Sequence, residues 1–98
     1  MPTGNGIDVA AEASGDLRRM GHIQLAEDIE ARIRLGEKKY GTRLKSHNGR
    51  DVLLDLLQET LDGLNYSKQA EIEGLDDGTF FQCLVELAVA IRAKMAAR

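Results

Sequence analysis

The feature that most constrains this chain is the spacing of leucines between Arg50 and Glu73. Leu53, Leu54, Leu57, Leu61 and Leu64 recur every three or four positions, which at 100° per residue lines them along one side of a helix. Asp55, Glu59, Asp62 and Tyr66 keep the same spacing on the opposite side. A strand would send alternate residues to opposite faces and scatter both sets, so the spacing predicts an amphipathic helix from Arg50 to about Glu73.

The flanking segments read the same way. From Asp16 to about Tyr40, Leu25, Ala26, Ile29, Ile33 and Tyr40 share one arc with Ile23 at its edge, predicting a helix that Gly21 and Gly36 weaken locally. Residues 41–49, Gly-Thr-Arg-Leu-Lys-Ser-His-Asn-Gly, hold the turn formers of a loop. Residues 74–78, Gly-Leu-Asp-Asp-Gly, end the leucine helix, and Thr79 with Gln82 has the pattern of a capping box for a last helix reaching about Ala96. Its apolar stripe is Phe80, Phe81, Leu84, Leu87, Ala88, Ile91 and Met95. No strand pattern competes and no repeat is present. The expected fold is all-α, with three main helices per chain in residues 15–98 as a single domain, preceded by a flexible lead-in over residues 1–14 that holds the only proline.

Length and charge narrow the setting. A chain of 98 residues buries only about two-thirds of its unfolded surface, so its core is modest and a homodimer or larger homo-oligomer is expected to complete the helical bundle. With 43 % hydrophobic and 30 % charged residues the chain is too apolar for a disordered segment. A net charge of −3 argues against a general nucleic-acid polymer coat or a basic membrane binder. No apolar run approaches the roughly 20 residues of a membrane span, and no signal-peptide pattern opens the chain, so a cytoplasmic setting is expected. The single cysteine, Cys83, sits in an apolar run and reads as a packed thiol.

Three charged constellations stand out. Glu59 and Asp62 lie three residues apart on one helix face and could share a hard divalent cation, with Asp55 one turn earlier and Tyr66 one turn later. Lys38, Lys39, Arg43, Lys45 and Arg50 fall in a stretch without any acid, and a glycine-bearing cationic loop before a helix N-terminus suits phosphate oxygens. Glu27 and Glu30 repeat the three-residue spacing on the first helix, where Glu30 can also pair with Arg34. Solvated helix faces and a basic loop paired with acidic helices are the plainer readings of all three. His47 has no second histidine or cysteine at ligand spacing, so no zinc site is assigned.

Lys39-Tyr40-Gly41-Thr42, then Asn48-Gly49-Arg50-Asp51, then Gln58-Glu59-Thr60-Leu61-Asp62 with Tyr66 resembles the MazG-like all-α nucleoside triphosphate pyrophosphohydrolases, particularly short phage-type members, over roughly residues 27–70. Glu27/Glu30 and Glu59/Asp62 lie on that family's E-x-x-E and E-x-x-D pairs, with 28 residues between Glu30 and Glu59. The resemblance implies magnesium held by Glu59, Asp62 and one or both of Glu27 and Glu30, with Asp55 as an additional ligand or base. It implies phosphate contacts from Lys39, Arg43 and Arg50, a base bordered by Tyr40 or Tyr66, and cleavage of a nucleotide to its monophosphate and pyrophosphate. Gln58 stands where many relatives carry a further acid, and the first pair lacks an adjacent second glutamate. Those departures motivate the alternative of a binding protein that sequesters a nucleotide or nucleotide signal without cutting it.

Overall fold

The computed structural model describes residues 6–41 and 44–98, apart from the Tyr40 side chain. Among these, four α-helices run in chain order: α1 Val9–Arg19, α2 Ile23–Tyr40, α3 Val52–Ile72 and α4 Thr79–Ala96. The only extended pairing among the described residues is an isolated antiparallel bridge between Asp8 and Lys45. None of the helices is long and apolar enough to cross a membrane. The chain divides into two compact units, Met1–Arg50 with α1 and α2 and Asp51–Arg98 with α3 and α4.

In the first unit, α1 begins at Val9, inside the segment set aside as a lead-in. Asp8 caps it by accepting from the Ala11 amide at 3.1 Å, and Glu12 near the start with Arg18 and Arg19 at the end complement the helix dipole. The single helix predicted from Asp16 to Tyr40 is instead two. Gly21 takes φ 87°, the Gly21 amide donates to Leu17's neighbour Arg18 at 3.0 Å, and the His22 amide donates to Leu17 at 2.7 Å. Together these form a Schellman stop that satisfies carbonyls a helix end would otherwise orphan. The interface of α1 with α2 is made of small residues: Ala10, Ser14 and Ala26 are buried, and Ala26 is 0 % exposed. Ile29 and Ile33 are half-buried, while Leu25 and Ile23 are exposed.

The second unit follows the predicted leucine pattern with a rotation. Leu57 is buried and Leu53 and Leu64 are half-buried, but Leu54 and Leu61 are exposed, because Thr60 and Ser67 occupy the buried face beside Leu57. Their hydroxyls donate to the Leu56 carbonyl at 2.8 Å and the Leu64 carbonyl at 3.0 Å, so both buried hydroxyls are paired. From α4, Ile91 is buried with Phe81, Leu84, Ala88 and Met95 half-buried, whereas Phe80 and Leu87 of the predicted stripe are exposed. Cys83 is exposed as well, contrary to the packed thiol expected: it shares an arc of α4 with the exposed Phe80 and Leu87, so the apolar run around it is only partly a core face.

The capping box at Thr79 and Gln82 is also replaced. Gly78 is the N-cap, at φ 100°, and the two aspartates before it serve the orphan amides. Asp76 accepts from Gly78 at 2.9 Å and Phe80 at 3.1 Å, and Asp77 accepts from Thr79 at 3.1 Å. Hydrogen bonds from Thr79 hold the Asp77 carboxyl below the usual carboxylate range.

Candidate functional site

Helix α3 presents the acidic face. Asp51 caps it by accepting from Leu54 at 3.2 Å, and the helix then continues without interruption to Ile72, so Asp55, Glu59, Asp62 and Tyr66 keep helical register. Leu57 and Thr60 anchor the opposite side and thereby fix which side faces out. Glu59 and Asp62 are exposed one turn apart, Asp55 is half-buried, and Tyr66 is 72 % exposed. Gln58 is exposed beside Glu59.

The other sequence-predicted residues belong to the first unit. Glu27 is exposed on α2, and Glu30 one turn on is half-buried. Ser14 of α1 donates to Glu30 Oε1 at 3.2 Å, and Arg34 Nη1 lies 3.9 Å from Oε2. Lys38 and Lys39 close the last turn of α2, which ends at Gly41 in the left-handed region, φ 83°, with its amide on the Glu37 carbonyl. Arg43 and Thr42, and the Tyr40 side chain, lie outside the described residues. The first acidic pair is therefore in one unit and the second in the other.

The basic loop has a built conformation over residues 44–50. The Val9 amide donates to the Leu44 carbonyl at 3.2 Å, the Ser46 amide to the Ile7 carbonyl at 2.9 Å, and the Ile7 amide to Ser46 Oγ at 2.9 Å. A Cβ on Gly6 would fall 2.1 Å from Ser46 Oγ and 2.5 Å from the Ser46 carbonyl oxygen, so this approach requires glycine. Further on, His47 adopts φ 54° and Gly49 φ 83°, and the Arg50 amide donates to Asn48 Oδ1 at 3.0 Å, leaving the Arg50 side chain exposed just ahead of α3.

Among the described residues, no three His, Cys, Asp or Glu side chains are grouped so as to hold a metal ion. Glu59 and Asp62, exposed one turn apart on α3, are two carboxylates, the kind of donor set by which magnesium is commonly held when water and phosphate oxygens complete its shell. It does not resemble the larger all-protein oxygen shell of a calcium loop.

Three polar residues escaped the sequence reading. Ser14 and the cap Asp8 lay in the segment set aside as a lead-in, although Asp8 followed by Val9, Ala10, Ala11 and Glu12 is a helix-start pattern. Arg98 makes a two-pronged contact with Asp51, at 2.9 Å and 2.7 Å, across 47 positions of sequence. The Arg98 guanidinium, with the Leu54 amide, holds the Asp51 carboxyl down at about 2. No local pattern announces such a pair.

Compared with protein-family models, curated proteins and solved structures, the chain matches none.

Proposed function

We propose that this chain is a magnesium-dependent nucleotide pyrophosphohydrolase of the MazG-like type, converting a nucleoside or deoxynucleoside triphosphate to its monophosphate and pyrophosphate. The observation that carries the reading is the outward face of α3: two exposed carboxylates one turn apart, Glu59 and Asp62, with an exposed Tyr66 on the next turn. Glu59 and Asp62 would hold the ion, and Glu27 and Glu30 are the remaining candidate ligands. When bound, magnesium supplies neutralisation of phosphate charge and a more acidic water. Asp55 would take the proton of the water that attacks the α-phosphorus, while the bond to the β-phosphate oxygen breaks and its electron pair leaves with pyrophosphate. Lys39, Arg43 and Arg50 would bind the outer phosphates and offset the charge on that leaving group, with Tyr40 or Tyr66 bordering the base.

A homo-oligomer belongs to the same proposal. Leu54, Leu61, Phe80, Leu87 and Val89 are all exposed on α3 and α4, and a second copy of the chain would cover such residues in a cytoplasmic protein. Light scattering on the purified protein tests the assembly. Incubation with magnesium and the common triphosphates tests the chemistry: pyrophosphate is expected from at least one of them, and none from any would end the enzymatic reading.

Gln58 favours a second reading, in which a nucleotide or nucleotide-derived signal is bound and not cut. Calorimetric uptake that is independent of magnesium, with the nucleotide recovered intact, distinguishes it.

A further inference from the structure

Helix α4 carries two stripes with the same alternating three-and-four spacing, one residue apart. Phe81, Leu84, Ala88, Ile91 and Met95 make the first, and each is buried or half-buried. Phe80, Cys83, Leu87, Ala90 and Lys94 make the second, turned by about 100° around the helix, and each is exposed. Phe80 is 56 % exposed and Leu87 41 %. Such spacing is the seam by which one helix packs knobs into the holes of another. The order of residues along the second stripe says what fits it. Large and small alternate: Phe80, Cys83, Leu87, Ala90. Laid antiparallel on itself with Cys83 opposite Leu87 of a second copy, the stripe also sets Phe80 opposite Ala90, so every large side chain meets a small one. The same alignment brings Lys94 beside the turn that opens α4, where Asp76 and Asp77 of the second copy supply negative charge. A parallel alignment would stack Phe80 on Phe80 and Lys94 on Lys94, overfilling one layer and setting like charges together in another.

We infer that this stripe is a two-fold antiparallel seam between two copies of the chain, with Leu87 packed on Cys83 at its centre and Lys94 against the acidic turn at either end. The inference rests on the homo-oligomer proposed above and names the surface that builds it. The seam is short, about two heptads. It needs no more, because α4 is already ordered by its packing on α3 and no helix has to form when the copies meet.

Sedimentation equilibrium of the whole chain is the test, with circular dichroism to confirm that each variant keeps its helices. Wild type is expected to associate through this seam. Leu87→Glu places a carboxylate in it twice and should raise the dissociation constant at least about 100-fold. Lys94→Glu should raise it about tenfold, and less in high salt. Leu35→Glu, at an apolar residue of α2 that is 68 % exposed, should leave it unchanged. Association that withstands Leu87→Glu, or that Leu35→Glu weakens as much, overturns the inference and leaves the homo-oligomer standing. A wild-type chain that is monomeric at every concentration leaves the stripe to another occupant and overturns both. Should Leu87→Glu not fold, Leu87→Cys decides, with diamide as oxidant. The introduced thiol and Cys83 of the second copy each lose a proton and together pass two electrons to diamide, and the disulfide so formed makes a covalent dimer. Wild type should give none, since its two Cys83 side chains lie about one helical turn out of line. Equal cross-linking of the two proteins, or none of either, overturns the antiparallel seam.

Discussion

Both helical hairpins are closed at their open ends, but by different chemistry. In the first, residues 7–9 are tied to residues 44–46 by two main-chain hydrogen bonds and one to Ser46 Oγ, beside Gly6, where a Cβ would collide with the Ser46 carbonyl oxygen. In the second, the closure is an ion pair, Asp51 with Arg98, between the cap of α3 and the residue after α4's C-cap. Their interiors differ in the same sense: small residues in close approach for α1 and α2, and the larger Leu57 and Ile91 for α3 and α4. A main-chain clip between neutral groups is indifferent to salt and acid, whereas an exposed ion pair is sensitive to both. Two hairpins of one plan can therefore answer differently to the same solvent.

The largest effect should come from the interior of the second hairpin. Leu57→Ala removes its most buried leucine and is expected to cost about 2–5 kcal/mol, read as a fall in the denaturation midpoint. The helix stops come next, and here the hairpins should agree. Gly21 at φ 87° and Gly74 at φ 78° end α1 and α3 with the same pair of hydrogen bonds, and a Cβ at either would meet nothing within 4 Å. Gly21→Ala and Gly74→Ala should thus each cost about 1–2 kcal/mol, from backbone conformation alone; a clear inequality would show that one stop bears a load the other does not.

Smaller effects separate the closures. Gly6→Ala should open the clip and speed hydrogen exchange at the Ile7, Val9 and Ser46 amides, leaving that of α4 unchanged. Asp51→Asn keeps a competent cap while removing the charge. The Asp51 carboxyl is depressed from 3.8 to about 2 in the folded chain, so its contribution is complete above about pH 4 and is lost as pH falls through about 2. The melting temperatures of wild type and Asp51→Asn should accordingly differ at pH 6, converge towards pH 2, and approach each other in high salt.

The all-α class was legible because leucines three and four apart leave a strand no consistent face. Part of what stayed hidden was local. Gly74 was recognisable as a stop because Leu-Asp-Asp-Gly follows it, while Gly21 is followed by only His22 before Ile23 resumes the helical period, and periodicity alone reads across so short a break. The start of α4 was misplaced by one residue because Asp76 and Asp77 reach forward to its amides, taking the part assigned to Thr79 and Gln82. Of the candidate site, the register of Asp55, Glu59, Asp62 and Tyr66 followed directly from the pattern. The attachments of Glu30 to Ser14 and of Asp51 to Arg98 did not, since they join residues 16 and 47 positions apart.

The Asp51–Arg98 clasp also has a mechanical meaning. It lies at the two points where tension along the chain would enter the second unit, so a pull on residues 51 and 98 loads this one contact first and then parts α3 from α4 a turn at a time. Under force this unit is a zipper with its slider at the open end: it should yield at low load, and removing the slider should lower the first step of the rupture more than any later one.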